Sequence, residues 1–191
     1  MMTEYKGYTI EIVPDEDAMH PRKDCDNFGT IIHWYRHYDL GEFVGPAEAG
    51  ERIAGAVSLP VYMYDHCDIT INTTGFSCPW DSGQVGFIYA TREQVLKEYG
   101  GKYMTKRKRQ KALELLRAEI EEYDQYLRGD VYGFVIRKED EVIDACYGFY
   151  GDDHCLSEAK EVIDHLTRGT HRVTGYQTRR LSAPCHRTLN R

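Results

Sequence analysis

At 191 residues, the chain is long enough to bury a substantial hydrophobic core within one domain. It has no apolar run of about 18 residues, which excludes a transmembrane helix, and its first residues, MMTEYKGYTI, lack the features of a secretory signal. We therefore expect a cytoplasmic location. The six cysteines are expected to be free thiols there, because none forms a CxxC pair and a reducing cytosol opposes disulfides.

The net charge of −7 is distributed in alternating blocks along the chain. Residues 1–91 carry 14 acidic and 5 basic side chains, and residues 92–111 carry 2 and 8. Residues 112–161 again carry 14 and 5, and residues 162–191 carry 1 and 6. Such blocks favour contacts within the chain or with a charged partner. They form no continuous basic face, so binding to nucleic acid is not the default expectation.

The first half of the chain has mainly strand patterns. Alternation of apolar and polar residues predicts a strand at Tyr8–Val13, and a β-rich composition predicts a second at Phe28–Tyr35. Glycines and a proline interrupt residues 39–56, where Ala47–Ala54 has the length of about two helical turns. Further strands are predicted at Ser58–Asp65, Asp68–Thr73 and Gln84–Ala90, the first two joined by a tight turn at His66 and Cys67.

The second half begins with two predicted helices. Thr91 and Gln94 form a capping box for a first helix that should end at Gly100 and Gly101, and a second helix is predicted from Thr105 to Leu127. A hairpin follows, with strands at Val131–Arg137 and Glu141–Tyr150, and then a short helix from Glu158 to Leu166 that is capped by Ser157.

This order of elements predicts an α+β fold with a mainly antiparallel sheet, in which a helical pair is inserted before a C-terminal β-hairpin and a short helix. We expect a single domain over residues 1–168. Residues 169–191 form an Arg-rich C-terminal tail that should be flexible or ordered by a partner.

Several segments between residues 58 and 150 resemble proteins of phages and other mobile elements in bacteria. The resemblance rests on YMYDH (62–66), ITINTT (69–74), FSCPWDSGQVGF (76–87), EEYDQYLRGDVYG (121–133) and CYGFY (146–150). It brings no established activity and therefore no catalytic residue. It implies a setting among accessory genes of mobile elements, many of which act on host defence systems.

A cysteine nucleophile is one possible chemistry of this region. Cys78, His66 and Asp81 would supply the thiolate, the base and the orienting carboxylate, and the backbone near Gly83 would supply oxyanion donors. However, Pro79 indicates a turn, whereas activated cysteines often lie at a helix N-terminus. In the alternative interpretation Cys78 is a small apolar side chain in a hydrogen-bonded turn.

A metal site is a second possibility. His66 and Cys67 are adjacent, as are His154 and Cys155, so the two pairs together with Cys146 could supply zinc ligands. Neighbouring residues on a strand point to opposite faces, so that each pair offers one ligand easily. Aspartates beside both histidines could instead hold a divalent ion, but turn chemistry explains these residues without a metal. We predict neither a metal site nor a cofactor.

Binding surfaces are the remaining possibilities. Nucleic acid could be bound through Lys106–Lys111 and the C-terminal arginines, with Tyr99 and Tyr103 available to stack on bases. A protein partner could be bound by the aromatic residues Tyr62, Tyr64, Trp80, Tyr89, Tyr147 and Tyr150, which we expect on adjoining strands. The residues predicted to bind are Tyr62, Tyr64, Trp80, Ser82, Arg107 and Arg109.

The sequence thus predicts an accessory protein of a phage or mobile element that acts by binding in the cytoplasm of the host cell. The expected target is a host defence protein or its ribonucleoprotein complex, so the protein would be an anti-defence, anti-CRISPR-like inhibitor. The alternative is a small Cys–His hydrolase or metal-dependent nuclease centred on His66, Cys78 and Asp81.

Overall fold

A computed structural model describes residues 1–168 of the chain. The strands are β1 (Met2–Tyr5), β2 (Tyr8–Pro14), β3 (Thr30–His33), β4 (Glu42–Phe43), β5 (Val57–Asp65), β6 (Ile69–Asn72), β7 (Ser82–Ala90), β8 (Val131–Lys138) and β9 (Glu141–Tyr150). The helices are α1 (Pro46–Ile53), α2 (Arg92–Tyr99), α3 (Lys106–Leu127) and α4 (Asp152–Arg168). The strands form two mostly antiparallel sheets, so the predicted α+β class is confirmed.

The described chain divides into two compact units. Unit 1 contains Met1–Cys25 and the described residues from Gly129 onward, and unit 2 contains Asp26–Arg128. The sequence predicted one sheet, whereas each unit has its own. The prediction of a single domain over residues 1–168 concerns cooperative folding and stays a prediction. The predicted tail, residues 169–191, lies outside the described residues.

Unit 1 is a four-stranded antiparallel sheet in the order β1-β2-β8-β9, with α4 packed on one face. The prediction omitted β1, which pairs with β2 across a turn at Lys6 and Gly7, both with positive φ. The Lys6 ammonium and the Tyr5 hydroxyl donate to the Asp164 carboxylate of α4 at 2.7 and 3.1 Å. The Lys6 hydrogen bond is the main reason why the pKa of Asp164 is lowered.

Helix α4 begins at Asp152, and the prediction that Ser157 caps a short helix is wrong. The Gly151 carbonyl accepts the first helical hydrogen bond, from the Cys155 N–H at 3.1 Å, and acidic residues fill the first turn, where the helix dipole favours them. Cys155, Ala159 and Ile163 recur every four residues and are buried against the sheet. This buried face begins before Ser157, so packing extends the helix past its local capping signal.

Unit 2 is a five-stranded sheet in the order β4-β3-β7-β5-β6, antiparallel except for the β3–β4 pair. Helix α3 covers one face, burying Ala112, Leu116, Ile120 and Tyr123 against the inward residues of β5, β6 and β7. Helix α1 packs on β3 and β7 through a smaller cluster that contains Ala49, Ile53, Phe87 and Tyr89. The face of β5 that points away from α3 is covered by the loop that joins β6 to β7.

Local signals set the starts of α2 and α3 as predicted. Thr91 and Gln94 form the capping box, Gly100 follows α2, and Thr105 caps α3 through the Lys108 N–H. Two carboxylates then fix α3 to the strands. Glu119 accepts from the Phe28 and Gly29 N–H groups at 2.6 and 3.0 Å, and Asp124 accepts from the Ile71 N–H at 2.7 Å.

Candidate functional site

Three strand ends meet at one end of the sheet of unit 2. The pairing of Tyr64 with Ser82 and of His33 with Gly86 brings the last residues of β3 and β5 beside the first residues of β7. An open depression of about 370 Å³ lies here, which we name the Trp80 depression. It is lined by Tyr35, Met63, Asp65, Trp80, Asp81, Ser82, Gly83, Gln84 and Val85.

The β6–β7 loop, residues 73–81, is closed at its beginning by Asn72. The Asn72 Oδ1 atom accepts from the Thr74 and Gly75 N–H groups at 3.0 and 2.7 Å, and its Nδ2 donates to the Gly75 carbonyl at 3.2 Å. Gly75 has a φ of 89°, which favours glycine. The Phe76 ring then lies 5.8 Å from the Tyr64 ring, between ring centroids. The loop therefore turns back over the second face of β5.

The end of the loop is fixed by hydrogen bonds around Trp80. The Ser82 hydroxyl donates to the Cys78 carbonyl, and the Asp65 N–H donates to the Asp81 carbonyl at 2.9 Å. The Trp80 side chain, in contrast, is 90% exposed. A large apolar ring on a hydrogen-bonded loop is thus presented to solvent without being packed in the core.

The three residues of the predicted catalytic alternative meet at a single carboxylate. Asp81 Oδ2 lies 3.5 Å from His66 Nδ1 and 3.7 Å from Cys78 Sγ. In an activated cysteine the base lies between the nucleophile and the carboxylate, whereas here the carboxylate lies between the sulfur and the imidazole. His66 is 61% exposed at its side chain, and Cys78 lies in a loop and not at a helix N-terminus.

Tyr35 and Asp65 belong to this end of the sheet but were not among the predicted site residues. The Tyr35 hydroxyl donates to Asp65 Oδ2 at 2.7 Å, and this hydrogen bond is the main reason why the pKa of Tyr35 is raised. The Tyr35 ring stacks on Tyr38 at 6.0 Å, and the buried His33 has its Nδ1 atom 3.0 Å from the Tyr35 carbonyl oxygen. The aromatic run WYRHY directly after β3 was the available signal.

The predicted binding residues Tyr62, Tyr64 and Ser82 support the loop. Tyr62 and Tyr64 are half-buried on the face of β5 that the loop covers, where the Tyr62 ring faces Gly75. Desolvation is the main reason why the pKa of Tyr64 is raised. The Ser82 hydroxyl donates to the Cys78 carbonyl and is therefore already engaged. Of the predicted binding residues in and beside the loop, Trp80 is the one whose side chain is almost fully exposed.

The other predicted aromatic residues do not all lie on adjoining strands, contrary to expectation: β7, which carries Tyr89, pairs with β5, but β9 belongs to the other sheet. Tyr89 packs in the cluster beneath α1, and Tyr147 and Tyr150 lie in the sheet of unit 1. The sequence pattern identified strands correctly but contained no information on which strands share a sheet.

The basic segment Lys106–Lys111 lies at the opposite end of the unit 2 sheet from Trp80. Its lysines meet the end of α2: Lys108 Nζ donates to the Gly100 and Tyr103 carbonyls, and Lys111 Nζ lies 5.8 Å from the Tyr99 ring centroid. The Tyr99 ring in turn contacts Phe28, beside the first residue of β3. The span of β7 from Ser82 to Ala90 separates the two ends by about 26 Å.

Lys108 therefore supplies a cation to the carboxyl-terminal end of α2, where the helix dipole favours one. The first turn of α3 is basic, whereas the dipole of α3 favours acidic residues there. The contact of Lys108 with α2 accounts for part of this basic charge. Arg107 and Arg109 are exposed, and in the described part of the chain neither forms a hydrogen bond or an ion pair. They remain available to a partner, but not on the surface that carries Trp80.

The remaining candidate ligands of a metal are dispersed. His154 and Cys155 lie in the first turn of the helix α4, not in a turn between strands, and they belong to unit 1, whereas His66 and Cys67 belong to unit 2. Cys155 is buried, and burial raises the pKa of its thiol to about 12. Within residues 1–168, no group of three or more His, Cys, Asp or Glu side chains is placed to hold a metal ion.

Comparison with known proteins gives no match: no protein-family model, no curated protein and no solved structure is significantly similar to this chain. Across the described residues, every helix is too short or too polar to cross a membrane.

Proposed function

We propose that this protein acts by binding, as an accessory protein of a phage or mobile element that inhibits a host defence protein or its nucleic-acid complex in the host cytoplasm. The observation that carries the binding proposal is Trp80, which is 90% exposed on a loop closed at both ends by hydrogen bonds. The setting is inferred from the resemblance of residues 58–150 to proteins of mobile elements.

An exposed tryptophan on a fixed loop is suited to anchor a partner. Burial of its ring would contribute about 2–4 kcal/mol, and tryptophan is enriched among the residues that dominate binding energy. A loop that is already ordered loses little conformational entropy when it is bound. The free Arg107 and Arg109 guanidinium groups, towards the opposite end of the unit 2 sheet, would supply a second contact for a large partner such as a ribonucleoprotein.

The experiment begins with capture of the protein and its partner from host cells, followed by affinity measurement with the purified partner. We expect Trp80→Ala to weaken binding by at least about tenfold. Phe43→Ala is the matched control, because Phe43 is also an exposed aromatic residue, at 56%, but is neither in the loop nor among the residues that line the depression. Equal affinities of Trp80→Ala and the unmodified protein would refute the anchoring role.

A double charge reversal, Arg107→Glu with Arg109→Glu, separates the two ends of unit 2. If the partner is a nucleic-acid complex, we expect this variant to weaken binding and to reduce its dependence on salt. If the partner is a protein held at Trp80 alone, affinity should change little.

The hydrolase alternative is supported by one observation, the approach of both His66 and Cys78 to Asp81 Oδ2. The two functions respond differently to Cys78→Ala. Binding through Trp80 should persist in that variant, whereas hydrolysis by a thiolate would be abolished. Loss of inhibition in Cys78→Ala, with partner affinity unchanged, would favour the hydrolase.

A further inference from the structure

The Trp80 depression combines two carboxylates with aromatic rings. Asp65 and Asp81 line it together with Trp80 and Tyr35, and the other polar side chains are the neutral Ser82 and Gln84. Among the described residues that line it, none carries a basic side chain. An anionic ligand would be repelled by this surface, whereas a cation would find both charge partners and ring faces.

We propose that the Trp80 depression receives an arginine side chain of the partner protein. The inference rests on the proposed function, because it names the chemistry by which the Trp80 surface recognises its target. A guanidinium group is planar, stacks on indole rings and donates in a fork that matches carboxylate oxygens. A lysine ammonium lacks the planar face and the fork, and it is more strongly hydrated.

One oxygen of each carboxylate is already engaged, which leaves the other as an acceptor for a ligand. Asp65 Oδ2 accepts from the Tyr35 hydroxyl at 2.7 Å, and Asp81 Oδ2 faces His66 and Cys78. The Oδ1 atom of each residue accepts no hydrogen bond from within the described residues. Asp81 is 39% exposed at its side chain, so that its oxygen is accessible without first breaking a buried ion pair.

The local charge agrees with a basic occupant. Residues 26–91, which supply every side chain of the depression, contain eight acidic and two basic residues. Arg36, the chain neighbour of Tyr35, is not among the lining residues. The depression is open, so a free small molecule would bury little surface in it. If the arginine belongs to a partner protein, the surface of the partner would also bury the Trp80 ring. Such a contact would explain why this ring is exposed in the free protein.

The test is an NMR titration of the full-length protein with Nα-acetyl-arginine methylamide, compared with the neutral isostere Nα-acetyl-citrulline methylamide. The chain has two tryptophans, Trp34 and Trp80, so the indole N–H of Trp34 is an internal reference for that of Trp80. We expect a saturable shift of the Trp80 signal with a dissociation constant in the roughly millimolar range.

Variants identify the groups that bind. Asp65→Asn and Asp81→Asn should each weaken the arginine probe by about threefold, as expected for a partly exposed ion pair. Asp68→Asn removes a carboxylate from the neighbouring turn that does not line the depression, and it should leave affinity within about 1.5-fold. The citrulline probe should bind at least about fivefold more weakly than the arginine probe.

Three results would overturn the inference: equal binding of citrulline and arginine, an effect of Asp68→Asn as large as that of Asp81→Asn, or a Trp80 signal that does not respond to arginine. None of them removes the proposed function, which is tested by the effect of Trp80→Ala on the captured partner. Conversely, the arginine probe could bind specifically while Trp80→Ala leaves the affinity for the partner unchanged. That result would support the arginine site but refute the role of Trp80 as an anchor for the partner.

Discussion

Asp124 is the residue whose removal should most clearly loosen the edge of the unit 2 sheet. Strand β6 is an edge strand of four residues, and its Ile71 N–H donates to Asp124 Oδ1 at 2.7 Å. The Thr70 hydroxyl donates to the same oxygen at 2.6 Å, and Arg128 Nε lies 3.0 Å from Oδ2. One carboxylate on α3 thereby holds the strand from which the β6–β7 loop departs.

The expected cost of Asp124→Ala follows from these contacts. A hydrogen bond to a charged group contributes about 1.5–3 kcal/mol, and the Arg128 pair on the helix surface adds at most about 0.5 kcal/mol. Water can replace part of what is lost because the site is only partly buried. We therefore expect the free energy of unfolding to fall by about 2–4 kcal/mol. Asp124→Asn keeps an acceptor oxygen without the charge and should cost about half as much.

Urea unfolding followed by tryptophan fluorescence measures this loss within unit 2, because both tryptophans lie in residues 26–128. A Trp80→Phe background leaves Trp34, half-buried with its ring centroid 5.9 Å from that of Phe87, as the reporter. With a slope of about 2 kcal/mol per molar urea, the midpoint should decrease by roughly 1–2 M.

Glu121→Ala is the control, because Glu121 is an exposed acidic residue on the same helix. It should change the free energy of unfolding by less than about 0.5 kcal/mol. If Asp124→Ala changed stability as little as this control, the carboxylate would not be what holds β6, and the argument from its hydrogen bonds would be refuted.

Three further predictions concern stability and thiol chemistry. Gly86→Ala should destabilise unit 2 by about 2–4 kcal/mol, because the added Cβ would lie 2.1 Å from the Ile32 carbonyl oxygen. Gly83→Ala is the control and should be tolerated in the same unfolding experiment, because no atom lies within 4 Å of its added Cβ. The Cys155 thiol, with its pKa raised to about 12, should resist alkylation in the native protein at about pH 8, whereas the exposed Cys67 should react. Mass spectrometry of the labelled peptides checks this, and rapid native labelling of Cys155 would contradict its burial. As the pH increases from about 9 towards 12, the unfolded chain releases the Cys155 thiol proton before the native protein does, so the free energy of unfolding should fall. A free energy of unfolding that rises over this range would contradict this prediction.

The sequence determined the elements whose signals are local. The capping box of Thr91 and Gln94 fixed the start of α2, and Thr105 fixed that of α3, since a cap needs only residues within one turn. The β8–β9 hairpin was predictable because its turn at Glu139 and Asp140 is short and its strands are adjacent in the chain. The α+β class followed from the order of these elements.

Part of the candidate site could be predicted in the same way. The sequence identified Trp80 and the turn-forming residues around it, and it placed Cys78, His66 and Asp81 near one another. It could not show that Asp81 lies between the other two, because the side-chain order depends on how the loop folds over β5. It indicated Asp65 only as a possible metal ligand and missed its contact with Tyr35, because Tyr35 follows β3 and Asp65 ends β5, two strands that are not adjacent in the sheet.

Only the tertiary structure decided how distant segments pair. Strand β2 pairs with β8, although all of unit 2 lies between them in the chain, and this pairing divides the strands between two sheets. It also puts Tyr147 and Tyr150 on a strand of the other sheet. Within unit 2, the packing of α3 places the basic segment at the end of the sheet opposite Trp80 and gives Lys108 to the end of α2. Alternating apolar residues specify that a strand has an inner face, but they do not specify which other strand, among several of similar pattern, shares that face.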